Sequence, residues 1–585
     1  MKMFPKRNQS LWLSLVLTCQ VALFGIVFFC RGFLLQKLLI PDVNNLPTDH
    51  GKPMWDQVVL LIIDALKYDF MSSIGLTEVY AFSEHNTSHS KFYKFVADPP
   101  TTTLQRLKSM TTGTLPTFIE AALNFGGSEI TEDNIIDQLL RQKSNIIQMG
   151  DDTWDSIFPE RFLRSYPYPS FDVWDLDTVD RGVERQIFDE LKKKDWKLLI
   201  AHCLGVDHAG HRYGPNHQEM KRKLKEMDVF VRLVMENLPP NSLLLVFGDH
   251  GMTSTGDHGG DTNDEVNAAL FAYSNSHPFT NDTNREIPQV DLVPTLSVLF
   301  GIPIPFSNIG RVVKGLLPLS PKDKFYSLAL YQNIAQVRQY LEKYVSYAPS
   351  AMKGLELEKF FFRVDRVKEA PNINEAEKVL KIIQGKFRET CTQFNVYFIL
   401  IGCFLSAISI YPLIFSKKVT YSNNAASALV IVLINDVIFL VLLSWHGFFS
   451  GRNATFSSIQ WNAAFIGSFF PGETGISKVL KYVAQGVKVS VATFGFQIIY
   501  ASVAGYRLPL EQSHFFISAT ILRLSCSMVS CFILRRHLMT WKIFAPRFIF
   551  EGLGTLISMV FCLAGSFLKL VEINRKRRYA SNYIA

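Results

Sequence analysis

Four short segments of this 585-residue chain carry aspartate and histidine at spacings that suit a divalent cation. LLIIDALKYD ends an apolar run on Asp64, and GVDHAGH offers Asp207, His208 and His211. GDHGM offers Asp249 and His250, and GDHGG follows at once with Asp257 and His258. Asp207 and His211 stand four apart and can share one face of a helical turn. Glycines flank both Asp-His pairs, which lets the backbone come close to a ligand. A lone Asp-His pair is most often a structural hydrogen bond, but four such clusters at or just beyond apolar runs point to metal. Mixed carboxylate and imidazole ligands suit zinc, with manganese the alternative, and the lack of cysteine among them argues against a closed structural zinc site. The donors suffice for two ions. Paired cations on the order of 4 Å apart clamp the attacking and leaving oxygens of an in-line displacement, so the chemistry expected is phosphoryl or phosphodiester transfer.

A nucleophile is expected between the first and second of these segments, where DPPTTTLQRLKSMTTG crowds hydroxyls behind two prolines. A cation lowers the pKa of a threonine hydroxyl, so no histidine base is required. Thr103 is preferred over Thr102 because it can place its oxygen at a helix N-terminus, beside a phosphate. Without the metal ligands, residues 101–103 would read as an N-cap cluster.

The elements that must hold these residues are short apolar runs at 58–63, 197–201 and 243–247. Their near-continuous apolar character is that of strands covered on both faces. Helical patterns at 133–143 and 217–237 alternate with them, as in an α/β fold. Each run ends in candidate ligands, and that end of a parallel sheet is where sites are built.

The chain is 48 % hydrophobic, 13 % aromatic and only 19 % charged, which predicts a membrane component. Its net charge of +8 is modest and no basic stripe is interleaved with aromatics, so nucleic acid is not an expected partner. Residues 11–30 follow Lys2, Lys6 and Arg7 and are long enough to span a bilayer. They read as a signal anchor with residues 1–10 in the cytosol, a cleaved signal peptide being the alternative. Residues 52–320 are expected to form the catalytic domain on the far side, and 321–389 a helical extension of it. Residues 390–571 carry about five further spans, near 396–415, 426–446, 487–506, 514–534 and 548–568, and 572–585 form a basic cytosolic tail. Arg535 and Arg536 fall on the disfavoured side of that topology, which leaves the span count open by one. Asn435, Asp436, Arg523 and Glu551 lie within apolar segments and are expected in interhelix packing or, alternatively, at a lipid or substrate. Eight cysteines give no readable disulfide or zinc-thiolate framework. Sequons begin at Asn86, Asn281 and Asn453, so a glycoprotein is expected.

The blocks LLIIDALKYDF, DPPTTTLQRLKSMTTG, GDDTWDSIFP, HCLGVDHAGHRYGP and FGDHGMTSTGDHGGDT together resemble the alkaline phosphatase superfamily. Within it they are similar to the ethanolamine phosphate transferases of glycosylphosphatidylinositol (GPI) anchor synthesis. The resemblance covers roughly residues 55–320. It implies an alkaline-phosphatase-like α/β domain, a mostly parallel sheet flanked by helices, joined to an α-helical multi-pass membrane domain. It also implies one metal on Asp207, His211 and His258 and a second on Asp64, Asp249 and His250, with Thr103 as nucleophile and bridging metal ligand. His208 and Asp257 match motif positions but not ligand positions, and are expected just outside the ligand set.

An endoplasmic reticulum membrane enzyme with a lumenal catalytic domain is implied, with phosphatidylethanolamine as donor and a GPI mannolipid as acceptor. A small multispanning subunit that stabilises it is implied as partner. The third mannose is the acceptor implied by the blocks around Thr103 and 248–262. The alternatives are the second mannose, a metal-dependent phosphodiesterase of the same superfamily, or an inactive shortened isoform, since relatives usually carry a longer membrane region. A sulfatase is disfavoured by the absence of the Cys-x-Pro-x-Arg motif.

Overall fold

The structure is a computed structural model. It describes residues 6–34, 38–47, 53–72, 75–117, 129–170, 172–320, 324–347, 372–391, 394–409, 411, 510–533, 535 and 545–584. The chain divides into two compact units, one of residues 1–35 with 394–585 and one of residues 36–393.

The second unit is built on eight strands: β1 (Gln57–Ile63), β2 (Ser90–Val96), β3 (Ile146–Asp151), β4 (Arg164–Tyr168), β5 (Leu198–Cys203), β6 (Ser242–Phe247), β7 (Asn267–Ser274) and β8 (Glu286–Pro288). They form one sheet in the order β4-β3-β5-β1-β6-β7-β2-β8. Five of its pairings are parallel, and only those of β7 with β6 and β2 are antiparallel. The mostly parallel α/β sheet expected from the sequence is the one present. The three apolar runs are β1, β5 and β6, which lie side by side at the centre.

Alternation along these strands sends Val58, Leu60 and Ile62 to one face and Val59, Leu61 and Ile63 to the other, each into its own hydrophobic cluster. The first face is covered by Leu292–Phe300, Lys324–Tyr347 and Ile373–Cys391, and the second by Thr178–Leu191 and Gln218–Glu236. Burial on both faces explains why β1 and β6 run apolar from their second residue to their end, His202 in β5 being the exception. The patterned segment expected at 321–389 is thus helical over 324–347 and 373–391. It belongs to the core through Tyr326, Leu330, Leu341, Val379 and Phe387.

The first unit contains the helices Lys6–Phe33, Val396–Ile408, Leu510–Ile533 and Ala545–Ile584. Among its described residues lie three candidate membrane spans, at Leu11–Phe33, Phe516–Ile533 and Glu551–Arg577; Val396–Ile408 is a shorter apolar helix. A side chain at Gly25 would meet Ser406, and one at Gly402 would meet the Phe29 nitrogen at 2.5 Å. Small residues therefore set the close approach of the first helix to Val396–Ile408. Arg523 Nε lies 3.5 Å from Glu551 Oε1, and Ser527 also donates to Glu551. Those two residues pair between helices, as one of the two readings of them expects. The spans expected at 426–446 and 487–506, with Asn435 and Asp436, lie outside the described residues.

Candidate metal centre

Parallel register brings the three central strand ends level. Ile62 of β1 pairs with His202 of β5 and with Phe247 of β6, so Asp64 emerges beside the start of Asp249 and His250. The chain turns sharply after Asp64, with Ala65 at φ +58°. It crosses so close to β6 that a Cβ on Gly248 would sit 2.5 Å from the Leu66 carbonyl oxygen. The Ala65 N–H donates to Asp249 Oδ1 at 3.1 Å, fixing the two aspartates against each other. Beyond β5 the helix Gly205–Tyr213 presents Asp207 and His211. The loop bearing His258 comes against that helix at Gly256, whose φ of +84° and close approach to the Gly210 carbonyl oxygen leave no room for a side chain.

The result is one continuous cluster. His211 Nε2 lies 2.9 Å from His258 Nε2, and these atoms lie 3.5 and 3.4 Å from the Asp207 carboxylate. His250 Nε2 lies 3.4 Å from Asp64 Oδ1 and 3.3 Å from Asp249 Oδ2. Two triads have ligand atoms mutually within 4.8 Å: Asp207, His211 and His258, and Asp64, Asp207 and His250. Asp207 reaches both groups, and Asp249 adjoins the second.

The donor chemistry fits divalent cations. His258 Nδ1 donates to the Thr101 carbonyl at 2.8 Å and His250 Nδ1 to the Gly251 carbonyl at 2.9 Å, which leaves the Nε2 lone pairs facing carboxylates. Asp64 Oδ1, Asp249 Oδ2 and His250 Nε2 are buried with no hydrogen-bond partner among the described residues. Burial, then the Asp249, Asp207 and Asp151 carboxylates, holds Asp64 well above the usual carboxylate range. Burial with neighbouring cationic and imidazole groups pushes His250 down to about 3, and burial and the adjacent imidazoles push His258 well below its ordinary value. Neutral imidazoles among crowded carboxylates are a poor internal solution and a good set of ligands for an external cation.

The three threonines differ in what they touch. Thr101 is fully buried and locked to Gly259 and Gly260, accepting from the Gly259 N–H at 2.8 Å and donating to the Gly260 carbonyl at 2.9 Å. Thr102 occupies the N-cap position of Thr103–Thr112, makes no side-chain cap bond, and hydrogen-bonds Gln105 instead. Thr103 stands at the first helical position with Oγ1 3.3 Å from Asp64 Oδ2. His208 bonds the Asp175 and Ser170 carbonyls, at 2.7 and 3.2 Å, and Asp257 closes the turn with Thr255 at 3.0 Å, so these two make their hydrogen bonds to neighbouring loops.

Two residues escape a reading of motifs. His202 sits inside an apolar run, yet it is fully buried 3.5 Å from Asp64 Oδ2. Arg106, one turn after Thr103, is also fully buried, and desolvation pushes it down to about 10. Its Nη1 donates to Gln289 at 3.3 Å, whose amide donates to the Asp249 carbonyl at 2.6 Å. The sequence signal for each is its place in a block alone: His202 opens HCLGVDHAGHRYGP and Arg106 lies within DPPTTTLQRLKSMTTG.

Comparison with known proteins gives first a class. A family profile described as type I phosphodiesterase / nucleotide pyrophosphatase matches residues 120–280. Sequence relatives then narrow it. The chain is 41 % identical over 393 residues to the GPI ethanolamine phosphate transferase 3 catalytic subunit of Homo sapiens, covering 60 % of this chain and 36 % of that protein. It is 39 % identical to GPI ethanolamine phosphate transferase 3 of Eremothecium gossypii, over 67 % of this chain and 40 % of that one. The Saccharomyces cerevisiae protein of that name is 34 % identical, over 77 % and 47 %. The resemblance drawn from the motif blocks is met by these relatives, and the chain spans less than half of their length. Among solved structures, an alkaline phosphatase superfamily protein of Vibrio parahaemolyticus is similar at TM-score 0.37 and 16 % identity, over 52 % of this chain and 79 % of that one.

Proposed function

We propose that this chain transfers phosphoethanolamine from phosphatidylethanolamine to the third mannose of the GPI anchor precursor, with Thr103 as nucleophile. The observation that carries this reading is the Thr103 hydroxyl 3.3 Å from Asp64 Oδ2, at a helix N-terminus beside a cluster of ligand side chains. Asp207, His211 and His258 would hold one cation and Asp64, Asp249 and His250 the other, zinc with manganese the alternative. When bound, the cations neutralise charge on the phosphoryl oxygens and lower the hydroxyl pKa of Thr103.

Thr103 Oγ1 bonds to the donor phosphorus as the bond from phosphorus to the diacylglycerol oxygen breaks. The proton lost by Thr103 balances the one gained by the departing diacylglycerol. A mannose 6-hydroxyl then takes the phosphoethanolamine group, and Thr103 regains a proton. Asp64, through Oδ2, orients the threonine hydroxyl in both halves, and the backbone N–H groups opening Thr103–Thr112 favour the anionic group beside them.

The enzyme would reside in the endoplasmic reticulum membrane with residues 52–320 lumenal, as a partner of a small multispanning subunit. The candidate span Leu11–Phe33, with Lys2, Lys6 and Arg7 before it, supports that orientation. Asn86 and Asn281 are both exposed, and sugar on either reports the lumenal side.

Cells lacking this activity accumulate a GPI intermediate missing one phosphoethanolamine and lose anchored proteins from their surface. Reintroducing the chain restores both, and its Asp64→Ala form restores neither. Rescue of a lipid lacking phosphoethanolamine on the second mannose alone contradicts the acceptor assignment.

A further inference from the structure

The end of β5 carries a buried histidine that the ligand assignment does not use. His202 pairs in register with Ile62 of β1, and Asp64 lies two residues beyond Ile62, so His202 and Asp64 project to the same side of the sheet. The Trp154 indole N–H donates to His202 Nδ1 at 3.3 Å, so Nδ1 accepts and Nε2 is the nitrogen that carries a ring proton. That Nε2 lies 3.5 Å from Asp64 Oδ2 and has no hydrogen-bond partner among the described residues. Asp151 Oδ2, 3.4 Å from Nδ1, closes the far side of the ring.

The two oxygens of Asp64 are therefore unequal. Oδ2 meets Thr103 Oγ1 at 3.3 Å and the His202 N–H edge, whereas Oδ1 faces His250 Nε2 at 3.4 Å and is otherwise unsatisfied. A carboxylate free to rotate could present either oxygen, or both, to a cation and carry the nucleophile's hydrogen-bond partner away with it. A donor edge that faces one oxygen, as His202 Nε2 faces Oδ2 at 3.5 Å, biases that choice.

We propose that His202 is a positioning residue for Asp64: its Nε2–H faces Oδ2 across 3.5 Å without a closed hydrogen bond, draws that oxygen to the Thr103 side and leaves Oδ1 for the cation shared with Asp249 and His250. Trp154 sets the ring tautomer that makes this possible. The proposal rests on the metal reading above. Its consequence falls on metal affinity, because hydrogen-bond partners of metal ligands typically contribute about 10–100-fold.

The test measures zinc affinity of the full chain in detergent, by competition with a chromophoric chelator, together with the melting temperature of the metal-free chain. His202→Ala lowers affinity by about 10–100-fold, and His202→Gln, whose amide N–H reaches toward the same oxygen, restores it to within a few-fold. Trp154→Phe keeps the ring, removes the donor that sets its tautomer, and lowers affinity by a smaller factor. Wild-type affinity in both His202→Ala and Trp154→Phe overturns the proposal, and so does an equal drop in Ala and Gln variants that tracks an equal drop in metal-free melting temperature. Loss of a whole equivalent of zinc in both His202 variants overturns it in favour of direct ligation. Should His202→Ala fail to fold, undiminished affinity in Trp154→Phe is the overturning result. A wild-type chain that takes up no zinc or manganese contradicts the metal reading itself, a failure distinguishable from the rest.

Discussion

Two buried charged clusters serve the helix Gly205–Tyr213, and they compensate their charge in opposite ways. At its start, Asp180 accepts from the Leu204 and Gly205 N–H groups at 2.9 and 3.1 Å and pairs with Lys223 at 2.7 Å, both side chains being almost fully buried. Lys223 also reaches Asp177 and Glu226, at 3.2 and 3.0 Å, and Asp180 first, then Glu226, holds it charged against the cost of burial. Along the same helix, Asp207 joins Asp64, Asp249 and the imidazoles of His202, His211, His250 and His258, and no Lys or Arg nitrogen pairs with Asp64 or Asp249 among the described residues. A cluster complete in itself positions an element. A cluster whose carboxylates crowd against neutral lone pairs is built for something from outside.

The contrast is broken most sharply at Asp64. Asp64→Asn should cost at least ~10³-fold in transfer, because a ligand and the partner of the nucleophile are altered together. The same change should leave the metal-free chain equally stable or more so, since the fold penalises the ionised carboxyl there. Assay of turnover beside melting of the chelated protein checks both halves, and a metal-free chain made much less stable would contradict the contrast.

Lys223→Ala is expected to do the reverse. It strands Asp180 without its cation and should lower stability by about 3–5 kcal/mol, as breaking a buried pair does, while the zinc stoichiometry of the folded fraction stays that of wild type. Thermal unfolding with elemental analysis checks this.

A smaller effect is expected from pH. Asp64 must lose its proton to bind a cation, and its raised pKa places that loss above the ~4 of an ordinary carboxylate. Zinc affinity should therefore fall with decreasing pH through that raised value. His250, held neutral down to about 3, should add no step near the usual histidine range. Proton release on zinc binding, measured by calorimetry in buffers of different ionisation enthalpy, reads the midpoint. A midpoint in the ordinary carboxylate range would contradict the crowding.

The smallest effect is reserved for Thr102→Ala. Its side chain makes no cap bond to the helix, so stability should change by under about 1 kcal/mol and turnover by no more than a few-fold. A loss of turnover comparable to that of Thr103→Ala would move the nucleophile by one residue.

The central strands were readable because strands buried on both faces are largely apolar, and Asp64 and Asp249 stand out as the first charged residues after β1 and β6. Asp207 and His211 were readable from helical spacing. His202 was not, because in LLIAHC it looks like an interior strand residue, and only the register against Ile62 brings it beside Asp64. Arg106 was equally hidden: on a helix of unknown facing, a buried arginine and a solvated one have the same spacing. Nor does a sequence tell which of three adjacent threonines is locked into the fold; here it is Thr101 that bonds Gly259 and Gly260.

The central claim is that Thr103 carries the transferred group, and the most direct measurement is the mass of its peptide. Full chain loaded with zinc should be given phosphatidylethanolamine without acceptor, quenched in acid and digested. The account predicts one phosphoethanolamine group on the peptide containing Thr103, localised to that residue by fragmentation, absent after chelation and discharged when the mannolipid acceptor is added before quenching. Adduct on another residue, or labelling that survives chelation unchanged, would contradict it.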